Sequence, residues 1–338
     1  MKNGPDVPDS GLPGDATEAE RLRFLVNHAI LAPSGHNTQP WLFKPGDCFL
    51  DLFADRSRAL PVVDPQGREL TISCGAALEH LAIAARFFGS ELTIDVLPDP
   101  SGPDHLARVR LGRRITPGTG DIRMFQAIPN RRTTRAWYEN RVLPDHLCNM
   151  CRALAEQSGV ELVLISDEKR RWEIAGLVAE GDRIQFADPG FRRELAAWVR
   201  SRRSKTRDGI SGEAFGMPDV LSPLGALIIR TFDLGRKVAA GDRDRIVSGS
   251  PLLAVMSSRD DDPANWIDTG RALARVLLTL TASGATAAYL NQPIEIEPLR
   301  PRLGDVAGTR RVPQLLMRFG YGPATGPAVR RPVDEVLV

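Results

Sequence analysis

The chain has 338 residues, 42% hydrophobic and 25% charged, with a formal net charge of only +2. This is the profile of a globular protein long enough for two domains, and it excludes a strong overall field that would attract nucleic acid or a membrane. Four cysteines are too few for a disulfide framework at this length, and no run of about 18 apolar residues suggests a membrane span, so a cytoplasmic protein is expected.

Residues 1–16 are rich in Gly, Pro and Asp without an apolar core, and are expected to form a disordered tail rather than a signal peptide. Ordered structure is expected from Thr17, which with Glu20 forms a capping-box pattern ahead of an apolar stripe, Leu22, Leu25, Val26, Ala29 and Ile30. The run Ala32-Pro33-Ser34-Gly35 ends that helix, and residues 49–53 read as a strand. Turn chemistry at Asp64-Pro65-Gln66-Gly67 precedes a long helix over 68–88, apolar over much of its surface and so expected to be buried. Strands follow near 92–96 and 106–111, and residues 112–120 read as a linker.

The second part is expected to start near Asp121. Helices are predicted at 145–158, 167–180 and 188–203, with a strand at 160–165. The polar, glycine-containing segment 204–222 breaks the rhythm; irregular segments of that length are either functional covers or disordered inserts. A strand at 252–257, a long helix at 264–283 and strands at 285–290 and 312–319 complete the pattern. Both parts run strand, long apolar helix, strand, which makes helices 68–88 and 264–283 counterparts. Cys148 and Cys151 form a CxxC pair within a helical pattern, where cysteine serves as a small apolar residue. No second CxxC or histidine pair completes a zinc site, and no metal is expected.

Neither a GxGxxG after a strand nor a Walker A loop is present, so any phosphate must be held by side chains. The run Arg131-Arg132-Thr133-Thr134-Arg135 offers guanidinium forks and hydroxyls that can grip a dianion; the same pattern also describes a solvated basic helix end. The decapeptide Ala32–Trp41 is more specific. Pro33 and Pro40 stiffen it, Ser34, Asn37 and Gln39 offer donors and acceptors suited to a polar ring system, and Trp41 can wall a pocket or anchor a strand. His36 reads as a proton donor or a satisfied turn histidine. A phosphorylated flavin needs both a ring cradle and a phosphate clamp.

Ala32-Pro33-Ser34 with Asn37 and Gln39-Pro40-Trp41 resembles the flavin-site signature of the nitroreductase family, and Arg131–Arg135 resembles that family's RRSxR phosphate motif with Thr133 in place of serine. Residues 315–322 are similar to the family's closing strand, 330–336 to its basic C-terminal element, and Asn291–Glu295 to the segment that lies along the flavin. The resemblance implies an α+β nitroreductase-like fold. The motif order is reversed relative to the ordinary family chain, and each part carries only one share of a site that two subunits normally build. The chain therefore resembles the Acg-like branch: two tandem halves, 17–120 and 121–338, forming an intramolecular pseudo-dimer with one site and a lid at about 204–222. It would act as a monomer.

On that resemblance FMN is the cofactor and carries the chemistry, so no catalytic side chain is expected. Pro33, Ser34, Asn37, Gln39, Pro40 and Trp41 would cradle the ring. Arg131, Thr133, Arg135 and Arg330, assisted by Arg132 and Arg331, would hold the phosphate. A backbone N–H near Ile294 or Glu295 would meet the flavin N5, with Ile296 standing where many members have glycine. NAD(P)H would donate hydride to nitroaromatic or quinone-type substrates; the alternative is an FMN storage or sequestering protein with little turnover.

Overall fold

The computed structural model describes residues 16–201, 204–211 and 222–338. Residues 1–15 of the expected tail lie outside this range, as do residues 212–221 of the expected lid. Thr17 caps α1 (Glu18–Ala29) as its sequence foretells: its hydroxyl accepts from Glu20 N, and the Glu20 carboxylate accepts from Thr17 N at 2.8 Å. The decapeptide leads into the hairpin of β1 (Trp41–Pro45) and β2 (Leu50–Ala54), followed by α2 (Arg68–Phe87), β3 (Ser90–Val96) and β4 (His105–Arg114). These four strands form one antiparallel sheet, ordered β1-β2-β4-β3.

The segment read as a linker ends in a helix, α3 (Thr119–Ala127), which the sequence pattern did not reveal. It stays with the first core: Ala127 and Ile128 pack there, and Asp121 accepts from Arg86 Nε of α2 at 2.7 Å. After the RRTTR run come α4 (Asp145–Glu156) and β5 (Glu161–Ile165). Then comes a helical stretch, α5 (Glu168–Ala187) and α6 (Pro189–Trp198), the short parallel pair β6 (Val199–Arg200) and β7 (Ile210–Ser211), and α7 (Ser222–Thr231) and α8 (Gly235–Gly249). The chain ends with β8 (Leu252–Ser258), α9 (Pro263–Ala282), β9 (Thr286–Tyr289), α10 (Gln292–Glu295), α11 (Arg300–Ala307) and β10 (Val312–Gly320). The second sheet is ordered β5-β8-β10-β9 and is antiparallel throughout.

Counted within each sheet, both orders are first-second-fourth-third strand. In both, a long apolar helix links the second strand to the third: α2 in one and α9 in the other. These helices pack against each other so closely that glycine is required at the crossing. A Cβ on Gly75 would lie 2.3 Å from Ile267 O, and one on Gly270 would lie 2.0 Å from Ile72 O. By length and composition α2 matches a membrane span, but 89% of that stretch is buried inside the protein. Two cores flank the crossing. Leu22, Trp41, Phe43, Leu52 and Leu81 belong to one, and Leu147, Met256, Leu273, Met317 and Phe319 to the other. The C-terminal tail returns to the first half, where Phe43 N donates to Val336 O at 2.7 Å.

One ion cluster spans the helix pair. Glu79 of α2 accepts from Arg275 Nε at 2.6 Å and from Arg271 Nε at 3.0 Å, both on α9. Its carboxylate is 3% exposed while the arginines are 21–23% exposed. Removing the acid leaves two cations that water can partly reach, so the cost falls below that of breaking a fully buried pair. Glu79→Ala is expected to lower unfolding free energy by ~2 kcal/mol, read by urea denaturation.

Candidate functional site

The loop between α1 and β1 is held in an unusual backbone. His36, Asn37 and Gln39 have φ of 49°, 54° and 54°, the left-handed region that side chains disfavour. Strain of this kind costs ~1–3 kcal/mol per residue and persists only where surrounding contacts impose it. Those contacts come from far away in sequence. Asn37 Oδ1 accepts from Arg330 Nη1 at 2.8 Å, and its Nδ2 donates to Val329 O and Gly209 O. Gln39 Oε1 accepts from Arg331 N at 2.8 Å, and Gln39 Nε2 donates to Arg207 O at 2.8 Å. Ser34 Oγ accepts from Gln39 N. Gln39 and Trp41 are both fully buried, and Pro33 and Pro40 are buried beside them. These four lie inside the loop's support, whereas Ser34, His36 and Asn37 remain partly accessible.

Arg330 ties this loop to the basic run. Its Nη2 donates to Leu31 O and Ala32 O at the end of α1, while its Nε is buried without a hydrogen-bond partner among the described residues. Burial, then repulsion from Arg131 and Arg132, push its pKa down to about 9. Arg131 is buried, and its Nε and Nη1 likewise have no partner among the described residues. Burial lowers its pKa, and Arg132 lowers it further. The Asn37 loop and the basic run therefore meet at Arg330, which bonds one and faces the other. Arg132 donates to Pro129 O and Arg131 O, and Arg331 to Gln39 O and Glu335 O. Thr133 pairs with Ala287 at the free edge of β9. Burial, and after it repulsion from the Arg135 guanidinium, holds the His36 imidazole down to about 4, uncharged at neutral pH.

Acidic groups gather at the start of α2 and in α10, and sequence reasoning had not named them as a set. Glu69 Oε1 accepts from Arg68 Nη2 at 2.9 Å and from Asn291 Nδ2 at 3.0 Å, and Glu69 Oε2 reaches toward Gly35. Glu295, bonded by Gln185 Nε2, repels Glu69; burial and that repulsion raise its pKa well above the usual carboxylate value. Burial also raises Glu69. Tyr289 lies within electrostatic range of Arg131, Glu69 and Arg135, with its hydroxyl buried and unpartnered among the described residues. The backbone N–H groups of Ile294 and Glu295 donate to Asn291 O at 2.7 and 2.9 Å, so both are engaged within α10. Of this group the sequence had singled out only Glu295, within the Asn291–Glu295 segment.

A strap crosses the loop. Besides Arg207 O and Gly209 O, it offers Asp208, whose carboxylate accepts from Arg58 Nη2 at 2.6 Å and Arg200 Nε at 3.2 Å. It is the described part of the expected lid segment.

No family model matches the chain. Among curated proteins, it is 31% identical over 325 residues to "Putative NAD(P)H nitroreductase Rv3131" of Mycobacterium tuberculosis, covering 95% of this chain and 92% of the relative. The chain belongs to the nitroreductase family. It is also 27% identical over 348 residues to the similarly named acg of the same organism, covering 96% of this chain and 98% of that one. Among solved structures, the FMN and NADPH-dependent nitroreductase NfnB from a Sphigopyxis strain aligns over 63% of this family member and 96% of its own chain. The identity is 18% and the TM-score 0.42. In this nitroreductase-family chain Arg330 bonds Asn37 and lies within electrostatic range of Arg131 and Arg132, and Arg135 lies within electrostatic range of His36.

Proposed function

We propose that the chain is an FMN-binding oxidoreductase that takes hydride from NAD(P)H and reduces small nitroaromatic or quinone-type molecules. The observation that carries this reading is the guanidinium cluster, in which Arg131 Nε, Arg131 Nη1 and Arg330 Nε are buried donors without partners among the described residues. Each unmet donor of this kind costs ~1–3 kcal/mol. A phosphate answers all three, and the partly accessible Ser34 and Asn37 stand beside it for a ring system.

Bound flavin supplies the hydride chemistry, and the protein contributes binding, orientation and exclusion of water. Arg131, Arg330, Arg132, Thr133 and Arg135 form the phosphate clamp. Gln39, Trp41, Pro33, Pro40 and Arg331 keep the strained loop in shape, while Ile294 and Glu295 border the ring. The fused-pair reading is supported by the shared strand order of the two sheets and the reciprocal glycine crossing of α2 and α9. The internal pairing makes a monomer the expected working form.

The test is titration of apoprotein with FMN and riboflavin, then NADPH oxidation with menadione. One FMN per chain, bound in preference to riboflavin, with turnover above that of free FMN, supports the reading. Equal affinity for the two flavins refutes it. The strap favours a second reading, an FMN-sequestering protein, because it bonds the same loop that would border the ring. Asp208 holds the strap through two arginines worth ~1–3 kcal/mol together, so Asp208→Ala should speed FMN release by roughly tenfold, read by recovery of flavin fluorescence. Sequestration additionally requires wild-type turnover no better than free FMN and a gain in the variant.

A further inference from the structure

His80 sits within α2, has no exposed surface, and belongs to none of the motifs considered so far. Its Nδ1 lies 3.3 Å from His28 O. A carbonyl oxygen only accepts, so Nδ1 must carry the ring hydrogen, and Nε2 is left as a bare lone pair. Nε2 is buried and without a partner among the described residues. The His28 carbonyl belongs to the C-terminal turn of α1, and the carbonyls just beyond it, Leu31 O and Ala32 O, hold Arg330 Nη2. His80 and Arg330 thus hang from one helix end.

Three charged or titratable groups face His80: Arg131 from the basic run, Arg330 from the C-terminal tail and His28 from α1. Burial comes first, and these neighbours add to it, in holding the imidazole down to about 3. It is neutral at any ordinary pH. Besides His28 Nδ1, which is likewise buried and unpartnered among the described residues, the buried corner therefore presents three guanidinium N–H groups that lack an oxygen and, at His80, one nitrogen that lacks a proton. A fully ionised phosphate would satisfy the guanidinium donors but would set an oxygen lone pair against the lone pair of Nε2. A phosphate carrying one proton satisfies both.

We propose that His80 belongs to the anion site, and that a phosphate ester docks there together with one proton held between a phosphate oxygen and His80 Nε2. This rests on the flavin-phosphate reading above and names an additional residue of that site. The proton comes from the ester below its second ionisation, near pH ~6, and from solvent above it. Above that pH, binding takes up a proton and affinity falls by about tenfold per pH unit. Glu69 and Glu295 also titrate near the site, but their charged neighbours are each other, Arg68 and Asp64 rather than Arg131 or Arg330, and Tyr289, which does face Arg131, is pushed up to about 12 by burial and keeps its proton at pH ~8.

The experiment is calorimetry of apoprotein with FMN and with riboflavin at about pH 8, well above the phosphate ionisation, in two buffers of different ionisation enthalpy. It is repeated with His80→Gln, whose amide N–H can meet an oxygen without a proton. The wild type should take up about one proton more with FMN than with riboflavin. His80→Gln should lose that extra proton and show a flatter pH dependence. A wild type that prefers FMN without the extra proton overturns the proposal, as does a variant that keeps it. A wild type indifferent to the phosphate fails at the earlier step and removes the flavin reading as well. Should His80→Gln not fold, nitrogen NMR of the wild-type imidazole decides: the Nε2 resonance must move to the protonated or strongly hydrogen-bonded range on adding FMN, and an unchanged resonance overturns the proposal.

Discussion

Replacing Arg131 by methionine is expected to weaken FMN binding by ~10²–10⁴-fold, because two charge-assisted hydrogen bonds at ~1.5–3 kcal/mol each are lost. Riboflavin affinity should stay within about threefold, since the removed group serves only the phosphate end. The same substitution should stabilise the apoprotein by ~1 kcal/mol, because an unpaired buried cation is exchanged for an apolar chain of similar length. Arg131 has no partner for Nε or Nη1 among the described residues, and it repels Arg330 and Arg132. A structural arginine would behave in the opposite way. Arg330 supplies the contrast within the same cluster, because it bonds Asn37 Oδ1, Leu31 O and Ala32 O. Arg330→Met should lose FMN affinity and stability together. Isothermal titration and urea denaturation on the two variants separate the roles. If Arg131→Met keeps its preference for FMN over riboflavin, the phosphate clamp lies elsewhere.

The same contrast explains what could be read from the sequence. Helix α2 was predicted at 68–88 and runs Arg68–Phe87, because its residues are apolar nearly all round and a turn and a glycine bound it. Helix α8 gave no comparable pattern: Gly235–Gly249 is dominated by Arg, Lys, Asp and Gly, and it buries chiefly Ala239 and Ile246. Helix α3 hid in a Gly- and Thr-rich stretch whose packing depends on α2. At the site, Pro33, Ser34, Asn37 and the arginine run were legible because unusual residues cluster within a few positions. Their connection was not. Asn37 meets Arg330 across 293 positions and Gly209 across 172. Glu69 and Glu295 come together only when α2 and α10 are placed side by side. His80 looked like one more core position of an apolar helix, and only the missing partner of its Nε2 sets it apart. Local pattern identifies groups with chemical capacity, while tertiary contact decides which of them remain unsatisfied.

The largest stability effect should come from a residue with no functional group at all. Gly270→Leu is expected to cost ~4 kcal/mol or more, the range reserved for mutations that force packed elements apart. The first added carbon would lie 2.0 Å from Ile72 O and 2.7 Å from Ala76 N, both backbone atoms that cannot rotate away. Relief requires α9 to separate from α2. That movement also loosens the ion cluster of Glu79 with Arg271 and Arg275. Gly176 of α5 is the control: a Cβ there meets nothing within 4 Å, so Gly176→Ala should be neutral or stabilising by up to ~1 kcal/mol through helix propensity. Because α2 carries Glu69 at its start and His80 past its midpoint, separation should impair flavin binding even in a variant that still folds. Urea denaturation followed by fluorescence and by far-ultraviolet circular dichroism checks the prediction. A Gly270→Leu protein within about 1 kcal/mol of wild type would mean that the helix crossing can open without cost, and the close packing of the two halves would then not be what holds the site together.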